Sequence, residues 1–244
     1  MKLRVKFSKH GNIRYIGHLD VMRYFQKANR RAGIDIKYSG GYSPHQIMSF
    51  AQPLSVGFES DGEYMDIEVG QIESTDQVKE ALNSVMAEGI RIEEVKILPS
   101  DAKNAMASIA AASYYVRFKD GFCPVHDTLA TIEAFMAQES IPYIKKTEKN
   151  EFELDLKTSI YELTVREYEG TPHIYMKVNA SSSGNLKPAL VVEKLFEFVG
   201  EDVTEHPLHV IREDLYLNLG DAEHPEFGSL GSIGSDEIPS EEHE

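Results

Sequence analysis

His10, His18 and His45 stand close to Asp20 in the chain, amid a run of positive charge. An imidazole titrates near neutral pH and can act as general base, general acid or metal ligand. Each of the three falls at a turn or at the end of a predicted element. No HxH or HxxxH spacing joins any two, so no local metal site is read. With Asp20, His18 and His45 make up a candidate acid–base set. On the missing spacing, structural or substrate-contact duty is the better reading of the histidines.

The cations show a stronger pattern. On a helix beginning near His18, Asp20, Arg23, Lys27 and Arg30 recur at three- and four-residue spacing and share one face, with Arg31 one position off. Lys9, His10 and Arg14 add positive charge in the preceding loop. Such a row suits phosphate, in RNA or a nucleotide, with Asp20 orienting Arg23. Its plain alternative is a solvated face with an internal ion pair. Clustered like charges cost stability unless a counter-charge is bound or salt screens them. Glu63 and Asp66 are candidate partners for these cations.

"YSGGYSPH" (Tyr38 to His45) follows the helix. Gly40 and Gly41 permit positive φ and close backbone approach, and Pro44 stiffens the exit. No phosphate-loop or dinucleotide fingerprint is present, so the stretch reads as a hairpin or loop with a ligand-facing surface. The candidate ligand set is therefore Lys9, His10, Arg14, Arg23, Lys27, Arg30, Arg31, Gly40, Gly41 and His45.

Net charge over 244 residues is −15, unevenly spread. Residues 1–50 hold ten basic side chains and two acidic ones, leaving fifteen basic against thirty-eight acidic for the rest. A polyanion would be repelled everywhere except at the basic end. Cys123 is the single cysteine, so no internal disulfide, cysteine-built zinc site or iron–sulfur cluster forms within this chain. It is expected to be a small buried residue. No apolar run approaches the roughly 20 residues that span a bilayer. Cytoplasmic location and no membrane partner are expected.

These residues need a scaffold. "LRVKFSK" alternates as a half-buried strand. A helix over about 18–32 follows, ended by Gly33, with Leu19, Met22, Phe25 or Gln26, Asn29 and Ala32 tracing its apolar side. Strands follow around the Gly-Gly turn and at "EYMDIEVG". "STDQVKEALNSVMAEG" predicts a helix capped by Ser74, with Gln77 at the capping-box position, Val78, Ala81, Leu82 and Val85 inward, and Gly89 at its end. "IRIEEVKILP" closes as a strand. After a small-residue stretch, "SDAKNAMASIAAAS", read as a linker or a short helix, the order repeats, with helices at "VHDTLATIEAFMAQES" (Leu129, Ile132, Ala134 or Phe135, and Met136 inward) and "KPALVVEKLFEFVG". Strand–helix–strands–helix–strand, twice, predicts an α+β protein of two ferredoxin-like modules, 1–100 and 113–218, joined by a linker at 101–112. Residues 219–244, rich in Gly, Ser and acidic side chains, predict a disordered acidic tail.

Several stretches resemble the radical-SAM-linked protein family, a domain of unknown function. They are Phe7-Ser8-Lys9, Gly17-His18-Leu19-Asp20, Arg30-Arg31-Ala32, Tyr38-Ser39-Gly40-Gly41, Pro44-His45, Pro53-Leu54 and Glu63-Tyr64-Met65-Asp66; "SGNLKPALVVE" in the second half is similar too. The likeness covers most of residues 1–216 and implies a link to radical SAM chemistry. The chain cannot perform that chemistry itself, because the cluster needs three thiolates. No cofactor is expected in it; a radical SAM partner would carry the iron–sulfur cluster and S-adenosylmethionine. The expected function is a non-catalytic accessory or substrate-binding protein, presenting RNA or a phosphorylated ligand on its basic face. The alternatives are a stand-alone enzyme using His18, His45 and Asp20, or a structural protein-interaction module.

Overall fold

The computed structural model describes residues 1–119, 121–146, 151–182, 184–221 and 224–238. The fold is mixed α+β, and it divides into two compact units, Met1–Ile109 with Asp214–Glu244, and Ala110–Glu213. No helix among the described residues is long and apolar enough to cross a membrane.

The first unit begins with β1 (Lys2–Lys9), a 3-10 turn at Gly11–Tyr15 and α1 (His18–Arg31). Then come β2 (Met48–Phe50), β3 (Glu59–Glu68), α2 (Thr75–Asn83), β4 (Ile90–Ile97) and the short α3 (Ala105–Ser108). β1 lies between β3 and β4, antiparallel to both, and β2 adds to the far edge of β3 over Phe50–Met48 against 65–67. Leu3, Val5 and Phe7 of β1 meet Phe25 of α1 and Leu82 of α2 in a single core. Phe7, Phe25 and Phe50 pack ring to ring, with centroids 4.7 to 6.0 Å apart.

β1 differs from the half-buried strand its alternation predicts. Its polar face is covered as well, and Arg4 is 1% exposed. Arg4 Nε donates to Asp66 Oδ1 at 2.8 Å, and its terminal nitrogens reach Asp66 Oδ2, Leu230 O and Lys103 O. Asp66 Oδ2 also accepts from the Ala105 amide at 2.7 Å. One buried ion pair thus binds the sheet to α3 and to the C-terminal segment. Part of the expected 101–112 linker is accordingly the α3 helix, held in the first unit.

α1 turns inward the side its spacing suggested at Met22, Phe25, Asn29 and Ala32, which are buried or packed against the core, but not at Leu19. Val21, Phe25, Ala28 and Asn29 are buried, whereas Leu19 is 63% exposed. α2 is capped by Ser74, whose side chain accepts from the Gln77 amide at 3.0 Å. Gln77 reaches Glu73 and not the cap. α2 ends at Asn83, before Gly89, and the Asn83 side chain is tied to both backbone groups of Ile92 at 2.8 and 3.0 Å.

The second unit runs β5 (Ala111–Phe118), α4 (Thr128–Ala137), β6 (Pro142–Lys146), β7 (Glu151–Asp155), a 3-10 turn at Leu156–Ser159, β8 (Ile160–Tyr168), β9 (Thr171–Asn179), α5 (Pro188–Glu197) and β10 (Leu208–Asn218). Residues 208–213 of β10 belong to this unit and 214–218 to the first. Strand order here is β10-β5-β9-β8, with β6 and β7 forming a separate antiparallel ribbon. Asp127 caps α4 by accepting from Ala130 N at 2.8 Å. Thr131, Ile132 and Phe135 face inward on α4, and Leu129 does not. Cys123 is exposed, contrary to expectation.

The C-terminal stretch also departs from its prediction. β11 (Phe227–Ser229) pairs with 216–218 of β10. Leu230 is fully buried, Ser235 bridges Ile97, and Asp236 meets Lys96 at 2.8 Å. The composition is acidic and glycine-rich on average, but Leu230 supplies a buried apolar anchor whose carbonyl accepts from Arg4. Residues 239–244 of the expected tail lie outside the described residues.

Candidate nucleic-acid interface

The cations of the first fifty residues fall into two groups. The first group is structural. Arg4 is sealed against Asp66, and Lys6 Nζ meets Asp214 Oδ2 at 2.9 Å. Lys9 is buried and donates to the Ile16 carbonyl at 3.0 Å. His10 Nε2 lies 2.9 Å from Asp61. Arg14 lies 3.3 Å from Glu59, which also accepts from the Gly11 amide at 2.8 Å. Three of the predicted ligand residues, Lys9, His10 and Arg14, are therefore holding the turn that precedes α1.

That turn is wedged against the β4 entry. His10 N donates to Gly89 O at 2.8 Å, and a Cβ on Gly89 would lie 2.4 Å from the His10 carbonyl oxygen. Gly89 also holds φ +89°, a region disfavoured for L side chains. Gly89→Ala should therefore cost about 1–3 kcal/mol, read as a lowered urea midpoint with an unchanged slope. A midpoint equal to wild type would mean that the turn is not packed this way.

The second group is on the outward face of α1. Arg23, Lys27, Arg30 and Arg31 are all exposed. Arg23 meets Asp20 at 3.3 Å, in a pair that is largely in water on both sides. Such a pair contributes little. Asp20 also lies in the first turn of a helix whose N-cap, Gly17, offers no side chain, so its charge favours the helix dipole. Arg30 Nε donates to Gln26 O at 3.3 Å, and Arg31 donates to Val85 O at 3.2 Å with its guanidinium over the Tyr24 ring. Among the described residues Lys27 has no hydrogen bond or ion pair, and neither Arg30 nor Arg31 meets a carboxylate. Asp66, a candidate partner for this helix, is committed to Arg4 instead. Its place in the buried pair had no signal in the spacing of the charges.

The glycine turn is a hairpin bound to α1. Tyr38 bridges Gln46, and Ser39 N donates to His45 O at 2.8 Å. Ser39 Oγ accepts from His45 N at 3.1 Å and lies 2.9 Å from His45 Nδ1. Gly41 takes φ +98°, and both glycines have open space around them. Gln46 Nε2 donates to Gln26 O at 2.9 Å, while the buried Asn29 donates to Gln46 Oε1 at 3.1 Å. Gln26, Asn29 and Gln46 were not singled out by sequence as site residues. They are what fasten the hairpin beside the cations.

His18, Asp20 and His45 are not joined by any hydrogen bond among the described residues. The His18 ring stands edge-on to Phe50 at 5.4 Å, and burial, with a smaller push from Lys9, holds its pKa below the ordinary histidine value. His45 is occupied with Ser39. Two cavities of about 470 and 350 Å³ lie in the second unit, the first lined by Glu193, Glu197, Glu201 and Asp202, the second by Phe118, Phe122, Cys123 and Ile174. Neither is lined by any of the three. No group of His, Cys, Asp and Glu suited to a metal ion occurs among the described residues.

No curated protein matches the chain. One similar solved structure is described as "Crystal Structure of a Cbf5-Nop10-Gar1 Complex"; the identity is 10% and the TM-score 0.46, over 87% of this chain and 48% of that one. The chain thus spans about half the length of that protein, and a likeness this distant carries nothing about activity. Residues 2–188 match a family model described as "Uncharacterized protein conserved in bacteria (DUF2344)", and the chain belongs to that family.

Proposed function

We propose that this chain is a non-catalytic accessory protein that binds an RNA substrate, or another phosphate-bearing ligand, for a radical SAM enzyme. The observation that carries the binding half is the outward face of α1. Among the described residues Lys27, Arg30 and Arg31 meet no carboxylate, and Arg23 meets only the exposed Asp20, although the chain as a whole is strongly acidic. A protein with net charge −15 has carboxylates to spare, and here they are placed elsewhere. The radical SAM half rests on the resemblance of Gly17-His18-Leu19-Asp20, Tyr38-Ser39-Gly40-Gly41 and their neighbouring motifs. The partner supplies the iron–sulfur cluster and S-adenosylmethionine, and the pair works in the cytoplasm.

We read each unit as a ferredoxin-like module. The strand order β10-β5-β9-β8 fits that reading in the second unit, as does β4-β1-β3 with β2 beside β3 in the first. In this arrangement α1 packs by one face on its sheet and leaves the other to water, which is where the cations stand.

The division of labour has a direct test. After anaerobic reconstitution with iron and sulfide, the purified chain should show no iron–sulfur absorbance and no cleavage of S-adenosylmethionine. It should form a complex with a radical SAM protein from the same cell and raise that protein's turnover on RNA. Turnover by the isolated chain would overturn the accessory reading.

A further inference from the structure

We infer that the ligand of this face is a single-stranded nucleic acid, whose phosphates meet Arg23, Lys27 and Arg30 while unstacked bases lie on Tyr38 and Tyr42. The inference rests on the proposed phosphate contact and adds the class of substrate. Tyr38 and Gln46 face each other across an antiparallel bridge, so their side chains stand on the same side of the hairpin. That side is the one fastened to α1, because Gln46 Nε2 donates to Gln26 O. The same Gln26 oxygen accepts from Arg30 Nε. Tyr38 and Arg30 therefore flank a single hydrogen-bonded junction. The buried Asn29–Gln46 contact keeps it in register.

Tyr38 is half exposed at this junction, and Tyr42 is fully exposed at the hairpin tip just beyond Gly41. Neither phenol hydroxyl has a hydrogen-bond partner among the described residues. A large ring left in water beside the exposed cations of α1 has the two parts that single-strand binding uses, a stacking platform and a charge track. Duplex RNA could use only the charges, since its bases are stacked inside and its deep groove excludes side chains. The cationic track is short, about 10 Å from Arg23 to Arg30 at 1.5 Å per residue. It therefore suits a strand crossing the helix end, with the neighbouring bases turned onto the hairpin.

The test uses the full chain and a fluorescein-labelled oligouridine of about 12 nucleotides, within the range of known single-strand sites. The same oligonucleotide annealed to its complement serves as the duplex probe, and binding is read by anisotropy across a salt series. The single strand should bind at least about ten-fold tighter than the duplex. Tyr38→Ala with Tyr42→Ala should weaken single-strand binding by roughly ten-fold or more, without changing the salt slope, because stacking releases no counterions. Circular dichroism identical to wild type shows that the hairpin variant is folded, and Tyr→Phe at both sites should retain affinity. Equal binding of both probes, or full affinity in the Ala variant, overturns the inference while leaving phosphate contact standing. Failure to bind either probe at low salt overturns both.

Discussion

Asp66→Ala should cost the first unit about 3–5 kcal/mol, because it leaves the Arg4 guanidinium buried without its counter-charge. The same carboxylate holds the Ala105 amide, so α3 should loosen together with β1. Urea unfolding followed by tyrosine fluorescence and circular dichroism reads the loss as a lower midpoint. Adding Arg4→Met to the variant should recover a large part of it, since an apolar side chain needs no partner. The recovery is the discriminating arm. If Asp66→Ala costs less than about 1 kcal/mol, or if Arg4→Met makes it worse, the pair is not the buried tie described here. The ordinary range of surface substitutions is about half a kcal/mol either way.

Arg4 and Asp66 also show what a one-dimensional reading misses. The alternation of Leu3, Val5 and Phe7 predicts β1 correctly, because period-two burial is a local property of a strand. It places Arg4 in water for the same reason. Covering the polar face takes two segments far along the chain, around Lys103 and Leu230, and no local pattern announces them. The C-terminal stretch failed as a prediction by the same route. Its average composition is that of a disordered tail, while Leu230 is fully buried and its carbonyl accepts from Arg4.

The candidate site was legible in part. Helical spacing alone aligned Arg23, Lys27 and Arg30, and all three are on the exposed face of α1. The loop cations could not be separated from them by sequence. Lys9, His10 and Arg14 look equivalent as charges, but their partners are Ile16, Asp61 and Glu59, two of the three on or beside β3. The inward side of α1 was legible at Met22, Phe25, Asn29 and Ala32 and misread at Leu19, which the helix leaves in water while Val21 and Ala28 join the core side. The role of Tyr38 depends on a bridge to Gln46, a pairing that Gly40 and Gly41 permit without specifying.

The central claim is that the outward cations of α1 bind phosphate, and replacing Arg23, Lys27 and Arg30 together by Gln tests it most directly. All three are exposed and none holds a buried carboxylate, so the triple variant should stay within about 1 kcal/mol of wild-type stability. Binding to oligouridine should weaken strongly at low salt. The dependence of log affinity on log salt should become shallower by about 2, since each lost contact with a single strand removes about 0.7 from the slope. Affinity and slope both equal to those of wild type, in a variant that melts normally, would contradict the account and leave α1 with a solvated face.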